Sequence, residues 1–104
     1  MIYVFATARI KAGYLSEALA CYRQLVPAVL ANEPGCLEYS PTLNLDLGLP
    51  NQDGDERQIH VLERWHSAED FRAHLGMAHC LEFRKKIAPC LEEGIRVRIT
   101  QAVS

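Results

Sequence analysis

The sequence lacks the signals of a membrane or secreted protein. No apolar run approaches the ~20 residues that a membrane-spanning helix needs. A signal peptide has a basic leader before its apolar stretch, and the opening MIYVFATARIKAG has none. There is also no basic run and no interleaving of basic with aromatic residues, so we expect no nucleic-acid partner. We therefore predict a cytoplasmic protein that binds neither membranes nor nucleic acid.

The signals of a disulfide framework and of a nucleotide site are missing too. The four cysteines, Cys21, Cys36, Cys80 and Cys90, include no pair in CxxC spacing. Since free cysteine behaves as a small buried hydrophobe, we expect four reduced thiols in or near the core. Without a glycine-rich phosphate loop, nucleotide and dinucleotide cofactors have no support.

What the chain does contain is ordinary globular composition. With 104 residues it fits a single domain over residues 1–104. Apolar residues make up 49% and charged residues 23%, with a net charge of −2, which is typical of soluble proteins. A domain of this size has a thin stability margin, which self-association would increase.

Hydrophobic periodicity predicts the element order β-α-β-β-α-β. A helix begins at Leu15, is kinked at Pro27 and ends at Glu33-Pro34-Gly35. Ser67 and Asp70 form a capping-box-like start for a second helical region, which Gly76 breaks in two. This order indicates a ferredoxin-like α+β fold with one antiparallel sheet and its helices on one face. The predicted strands are residues 2–10, 36–40, 58–65 and the final IRVRITQAV.

The segment between the second and third strands exceeds a simple hairpin. Leu43, Leu45, Leu47 and Leu49 alternate with polar residues or glycine, so the strand either extends or gives way to a flap with one apolar face. Residues 51–55 form a turn by composition. They are not a calcium loop, because the glycine is misplaced and no glutamate occupies the twelfth position.

Both faces of the predicted sheet are substantially apolar. On the first strand Tyr3 and Phe5 oppose the core-facing residues, and only Arg9 is strongly polar. Helices cover one face, so the other needs a cover, of which the simplest is a second copy in a two-fold homodimer. Facing sheets could also enclose a small apolar ligand, and the pattern favours neither version.

Polar and aromatic residues concentrate in ERWHSAEDFRAHLGMAH, residues 63–79. Glu63 and Trp65 share one face of a strand. Glu63 either has a pKa raised by its apolar surroundings and acts as a general base, or pairs with Arg96 or Arg98 of the last strand.

Two histidines each lie beside a phenylalanine at helical spacing, His74 with Phe71 and His79 with Phe83. Taken alone, each is either a hydrogen-bonded structural histidine or a functional one.

We predict no metal site in this region. His74 and His79 are five residues apart across Gly76, and no further ligands follow at a recognised interval. His66 should point away from Trp65, so it is left out of the site.

Five fragments of the chain occur in a characteristic order. They are the first strand followed by Lys11-x-Gly13, then Glu33-Pro34-Gly35-Cys36-Leu37-x-Tyr39, Glu63-x-Trp65-x-Ser67, Phe71-x-x-His74 and His79-x-x-x-Phe83. Together they resemble the antibiotic biosynthesis monooxygenase family. The resemblance implies a dimeric α+β barrel, in which two ferredoxin-like units pack sheet to sheet, with a pocket between sheet and helices in each subunit.

The resemblance also implies a quinol monooxygenase that uses O₂ without metal, flavin or haem. Its substrate is a small aromatic quinol or polyphenol, and the protein supplies a dry pocket, a base and hydrogen bonds to the substrate anion. Some relatives degrade haem with an asparagine on the first strand, which IYVFATARI does not contain.

By the same resemblance, Trp65 and Phe71 line the pocket, and Glu63 and Phe83 are further substrate-binding residues. His74 and His79 would transfer a proton or stabilise the anion. The segment from Pro41 to Gln58 would form a lid or extend the dimer contact. The alternative function is a dimeric small-molecule binding or stress-related protein without turnover, because fold does not fix function.

Overall fold

The computed structural model describes residues 1–104 and confirms the predicted order of elements. Gly76 separates the second helical region into two helices, as its position predicts. The strands are β1 (Ile2–Arg9), β2 (Cys36–Leu43), β3 (Gln58–Trp65) and β4 (Arg96–Gln101). The helices are α1 (Leu15–Asn32), α2 (Ala68–Leu75) and α3 (Ala78–Ile87), and a 3-10 turn, Ala88–Cys90, follows α3.

The four strands form one antiparallel sheet in the order β2-β3-β1-β4. In the centre, Val4 of β1 pairs with Glu63 of β3 on one side and with Ile99 of β4 on the other. This is the ferredoxin-like α+β topology that the sequence predicts. None of the helices is both long and apolar enough to cross a membrane.

The core lies between the sheet and the helices. Its largest member is Trp65, which is fully buried at the end of β3. α1 contributes a stripe of buried residues at helical spacing, and the helix continues past Pro27, which is exposed, to Asn32. The stripe of α1 consists of Ala18, Tyr22, Leu25 and Val29.

The four cysteines are free, and all but Cys21 are buried.

A β-bulge interrupts the pairing of β2 with β3 between Cys36 and Glu38. Because side chains alternate across a strand, one extra residue reverses the facing of all that follows. Cys36 pairs with Trp65 and Tyr39 pairs with Glu63, so both face the helices. The bulge thus brings the Tyr39 ring to the same side of the sheet as Glu63.

β2 extends three residues beyond its predicted end, to Leu43, and residues 44–57 then form no strand. Leu45, Leu47 and Leu49 are exposed, so their alternation marks neither a strand nor a buried face. Hydrogen bonds hold this segment in place instead. In one of them, Asn44 Nδ2 donates to the carbonyl of Asp55 at 2.6 Å.

The sheet face away from the helices is more polar than the alternation predicts. At its centre Phe5 and Leu62 pair directly across β1 and β3, 42% and 37% exposed. Beside them Thr7 and His60 share a hydrogen bond of 2.9 Å. The expectation of a largely apolar face is therefore correct only at the centre, because charged side chains of β2, β3 and β4 surround it. These include Glu38, Arg64, Arg96 and Arg98.

Gly35 allows the start of β2 to pass close to the first turn of α2. A Cβ at this position would lie 2.7 Å from Asp70 Cβ. Asp70 is in turn bonded to the N-cap, with its Oδ2 accepting from Ser67 Oγ at 2.9 Å. We expect Gly35→Ala to lower the free energy of unfolding by about 1–3 kcal/mol, as overpacking does, measured by urea denaturation.

Gly94→Ala is the matched control, because no atom lies within 4 Å of the added methyl. If both variants unfold at the same urea concentration as the parent, the contact with Asp70 does not affect the free energy of unfolding.

Candidate functional site

A cavity of about 200 Å³ lies between the sheet and helices α2 and α3. Most of its wall is apolar, including Val61 of β3 and both phenylalanines of the site, Phe71 and Phe83. A larger open groove of about 550 Å³ beside α1 and the end of β2 contains no carboxylate, histidine or cysteine. The smaller cavity is therefore the candidate site. Its polar wall residues are Tyr22, Tyr39, Glu63, His74, Cys80 and Arg84.

Glu63 is a buried carboxylate, only 4% exposed, in the wall of this cavity. Trp65 Nε1 donates to its Oε1 at 2.9 Å. Burial raises the pKa of Glu63 to about 7, although the bond from Trp65 opposes this shift. At neutral pH the carboxyl group thus exchanges readily between its acid and its base form.

The predicted pairing of Glu63 with an arginine is wrong. Glu63 lies opposite Val4, whereas Arg96 and Arg98 lie opposite Thr7 and Phe5 on the other face of the sheet. The alternation of strand side chains therefore keeps both guanidinium groups away from the cavity.

His74 lies in α2 and is buried in the same wall. Its Nδ1 is 2.9 Å from Oε2 and 3.1 Å from Oε1 of Glu33, while its Nε2 is 3.9 Å from Cys80 Sγ. Burial lowers the pKa of His74, against the opposing effect of Glu33. The ring packs on Trp65 with centroids 4.8 Å apart, which holds it against the sheet.

His79 lies on the far side of Glu33 and does not border the cavity. Its Nε2 is 2.6 Å from Glu33 Oε2. The side chain instead borders a surface depression with Glu82 and Lys86, and it is 19% exposed. The structure therefore brings the two predicted catalytic histidines together, but places only His74 at the cavity.

Glu33 is the residue of the candidate site that the sequence reasoning missed. It caps the C-terminal end of α1, just before Pro34, and such a position is typical of an exposed turn residue. In the structure it is only 4% exposed and contacts both His74 and His79. Its place in the family-like fragment beginning Glu33-Pro34-Gly35 was the one available signal.

The sequence predicts no further metal ligand beside His74 and His79. This expectation is wrong, because Glu33 supplies a third ligand group. One ligand atom each of Glu33, His74 and His79 falls within a 4.8 Å cluster. However, ligand atoms held about 2.0–2.1 Å from a tetrahedral Zn²⁺ are about 3.3 Å apart. Glu33 Oε2 lies closer than that to both imidazoles, at 2.9 and 2.6 Å. The three groups are therefore bonded to one another and would have to separate before a divalent ion could bind.

The predicted aromatic residues occupy two layers. Phe71 and Phe83 border the cavity, whereas Trp65 is completely buried behind it and acts by holding Glu63 and packing on His74. His66 is exposed and outside the site, as expected.

Two tyrosines of the wall were also missed, because their spacing marks them only as core positions. Tyr22 packs on Phe83 with ring centroids 4.8 Å apart, and Tyr39 packs on His74 at 5.5 Å. Burial raises the pKa of both phenols above their usual range, so both hydroxyls stay protonated.

A family model described as antibiotic biosynthesis monooxygenase matches residues 1–86. The chain belongs to the antibiotic biosynthesis monooxygenase family. The resemblance seen in the five sequence fragments is thereby confirmed. No curated protein matches the chain.

Solved structures of similar proteins have the same fold. A candidate antibiotic biosynthesis monooxygenase from Caulobacter crescentus CB15 is 25% identical, over 99% of this chain and 90% of that one, with a TM-score of 0.84. Another candidate, from Nitrosomonas europaea, is 19% identical over the full length of both chains, with a TM-score of 0.85. At that identity the second likeness establishes the fold alone.

The burial of Glu63 should make stability depend on pH. Its folded pKa of about 7 lies above the unfolded value near 4.5, so the folded state loses stability as pH rises from about 4.5 through 7. Glu63→Gln carries no such proton. We expect it to exceed the parent in free energy of unfolding by about 2–3 kcal/mol at pH 8, with little gain at pH 5, in urea titrations.

Glu38→Gln is the control, since Glu38 is a solvent-exposed carboxylate whose pKa is lowered by Arg64. It should give no gain at pH 8. A pH-independent difference between Glu63→Gln and the parent would contradict the raised pKa of Glu63.

Proposed function

We propose that this member of the family is a cofactor-independent monooxygenase that oxidises a small aromatic quinol or polyphenol with O₂. The observation that carries the proposal is an apolar cavity walled by a buried carboxylate with a pKa near 7 and a buried histidine. Family membership supports monooxygenase chemistry. The aromatic wall supports a flat, apolar substrate.

The proposed reaction converts a quinol and O₂ into a hydroxyquinone and water. A wall base removes a hydroxyl proton, and the resulting anion passes one electron to O₂. The semiquinone and superoxide then join through a new carbon–oxygen bond. The peroxide loses water when its O–O bond breaks, so one oxygen atom stays on the ring and the other is reduced to water.

The wall residues have complementary tasks in this scheme. A quinol has two hydroxyl groups, and the cavity offers two proton acceptors, Glu63 and His74. The protonated hydroxyls of Tyr22 and Tyr39 would donate hydrogen bonds to the substrate oxygen as negative charge develops. Exclusion of water strengthens each of these interactions.

We further propose a homodimer formed by the outer face of the sheet. Phe5 and Leu62 provide an apolar centre with charged margins, which is the usual anatomy of an interface. Residues 44–57 lie at the edge of this face, where Asn44 Oδ1 is 2.9 Å from His60 Nε2. None of them borders the cavity, so this segment fits a dimer contact better than a lid. The four free cysteines suit a cytoplasmic location.

Oxygen consumption tests the proposed activity directly. Chelator-treated protein with a panel of naphthoquinols should consume O₂ faster than the protein-free autoxidation control. kcat/KM should rise with pH through about 7, as Glu63 becomes ionised. Glu63→Gln should lower kcat by about 10²-fold or more, the usual contribution of a general base.

Leu81→Ala, an exposed position on α3, serves as the control and should keep the parental rate. Substrate binding by fluorescence without uptake above autoxidation would favour the alternative function, a binding protein without turnover.

The dimer is tested by sedimentation at micromolar concentration. The parent should sediment as a dimer, and Phe5→Glu should sediment as a monomer because it places a charge in the apolar centre of the interface. Leu81→Glu adds the same charge elsewhere on the surface and should remain dimeric. A monomeric parent would contradict the proposed assembly.

A further inference from the structure

Glu33 lies outside the cavity, yet it contacts the histidine that borders it. The two ring nitrogens of His74 are in different settings: Nδ1 faces both oxygens of Glu33 at 2.9 and 3.1 Å, while Nε2 has only the weak sulfur contact with Cys80 at 3.9 Å. An ionised carboxylate can only accept hydrogen bonds, and a neutral imidazole carries one proton. The proton of His74 is therefore best satisfied at Nδ1.

We propose that Glu33 is a positioning residue that fixes His74 in the tautomer protonated at Nδ1, leaving an unprotonated Nε2 available at the cavity as a proton acceptor beside Glu63. The kinetic effect of this arrangement rests on the proposed function, because it requires turnover. The tautomer of His74 does not depend on the proposed function. The arrangement also separates the two histidines: His74 borders the cavity and is the catalytic candidate, whereas His79 acts only through Glu33.

His79 completes the arrangement from the surface side. Its Nε2 lies 2.6 Å from the same oxygen of Glu33 that contacts His74. Because an ionised carboxylate only accepts hydrogen bonds, we assign the proton of this bond to His79 Nε2. Two N–H donors from two different helices thus converge on Oε2, which leaves the carboxylate little freedom to rotate. His79 is consequently a second positioning residue, one step farther from the substrate.

The backbone around Glu33 is held as firmly as its side chain. Its N–H donates to the carbonyl of Val29 at 2.9 Å, and its carbonyl accepts from the N–H of Cys36 at 3.0 Å. A buried negative charge at the C-terminal end of a helix opposes the helix dipole and is costly without partners. The two imidazole donors supply those partners, which explains how a carboxylate is accommodated here.

The ¹⁵N chemical shifts of the histidine rings test the proposal without any substrate. In the parent at pH 7.5, His74 should show a protonated-type Nδ1 and an unprotonated-type Nε2. In Glu33→Gln an NH₂ group replaces one of the two acceptor oxygens that face the histidines. An NH₂ group donates hydrogen bonds instead of accepting them, so the fraction of His74 that is protonated at Nδ1 should fall. A His74 protonated at Nε2 in the parent, or a tautomer unchanged in Glu33→Gln, would overturn the assignment.

Kinetics provide the second readout. Glu33→Gln should lower kcat at least about tenfold, since replacing the carboxylate that fixes the tautomer of a catalytic histidine costs more than that in the Ser-His-Asp triad. KM should change much less, because Glu33 does not border the cavity. Glu69→Gln removes an exposed charge from the same helix as His74 and should leave both constants and the ring shifts unchanged. Full kcat in Glu33→Gln would overturn the proposal.

His79→Asn covers the case in which Glu33→Gln does not fold. It should keep the Nδ1–H tautomer of His74, because Glu33 remains, and it should lower kcat by less than about tenfold. A switch of His74 to the other tautomer in His79→Asn would show that Glu33 does not determine it. Absence of turnover in the parent would count against the proposed function alone, because the ring shifts still decide the tautomer.

Discussion

The hydrogen bonds that converge on Glu33 hold one side of the candidate site together. Glu33 caps the C-terminal end of α1, His74 lies in α2 and His79 lies in the first turn of α3, so one carboxylate connects all three helices. The opposite wall is the sheet itself, where Trp65 orients Glu63. The carboxyl group of Glu63 and the imidazole of His74 are thus each held by a neighbour that does not border the cavity.

The fold was predictable because hydrophobic period and chain breakers act locally. Gly76 and the Ser67 cap marked the helices correctly, and the alternation on β1 identified its buried side. The end of β2 was less certain, because the leucine alternation beyond Leu43 matches a strand in period but has no partner strand to pair with.

The site was predictable only where its residues are close in sequence. Glu63 and His74 were found from strand and helix spacing, and both line the cavity. Glu33 was not found, since a contact across so many residues arises from packing of helices that no local pattern encodes. The expectation that Glu63 pairs with an arginine was wrong for a different reason. Strand register decides which face Arg98 occupies, and register cannot be read from one strand alone.

The β-bulge in β2 determines where the chain can change length. Because the bulge sets the facing of Tyr39, any insertion or deletion between Glu33 and Tyr39 would turn the Tyr39 ring out of the cavity or pull Glu33 from its histidines. The segment 44–57 has no such constraint from the cavity. Among relatives, length variation should therefore concentrate in that segment, where it leaves the cavity wall undisturbed.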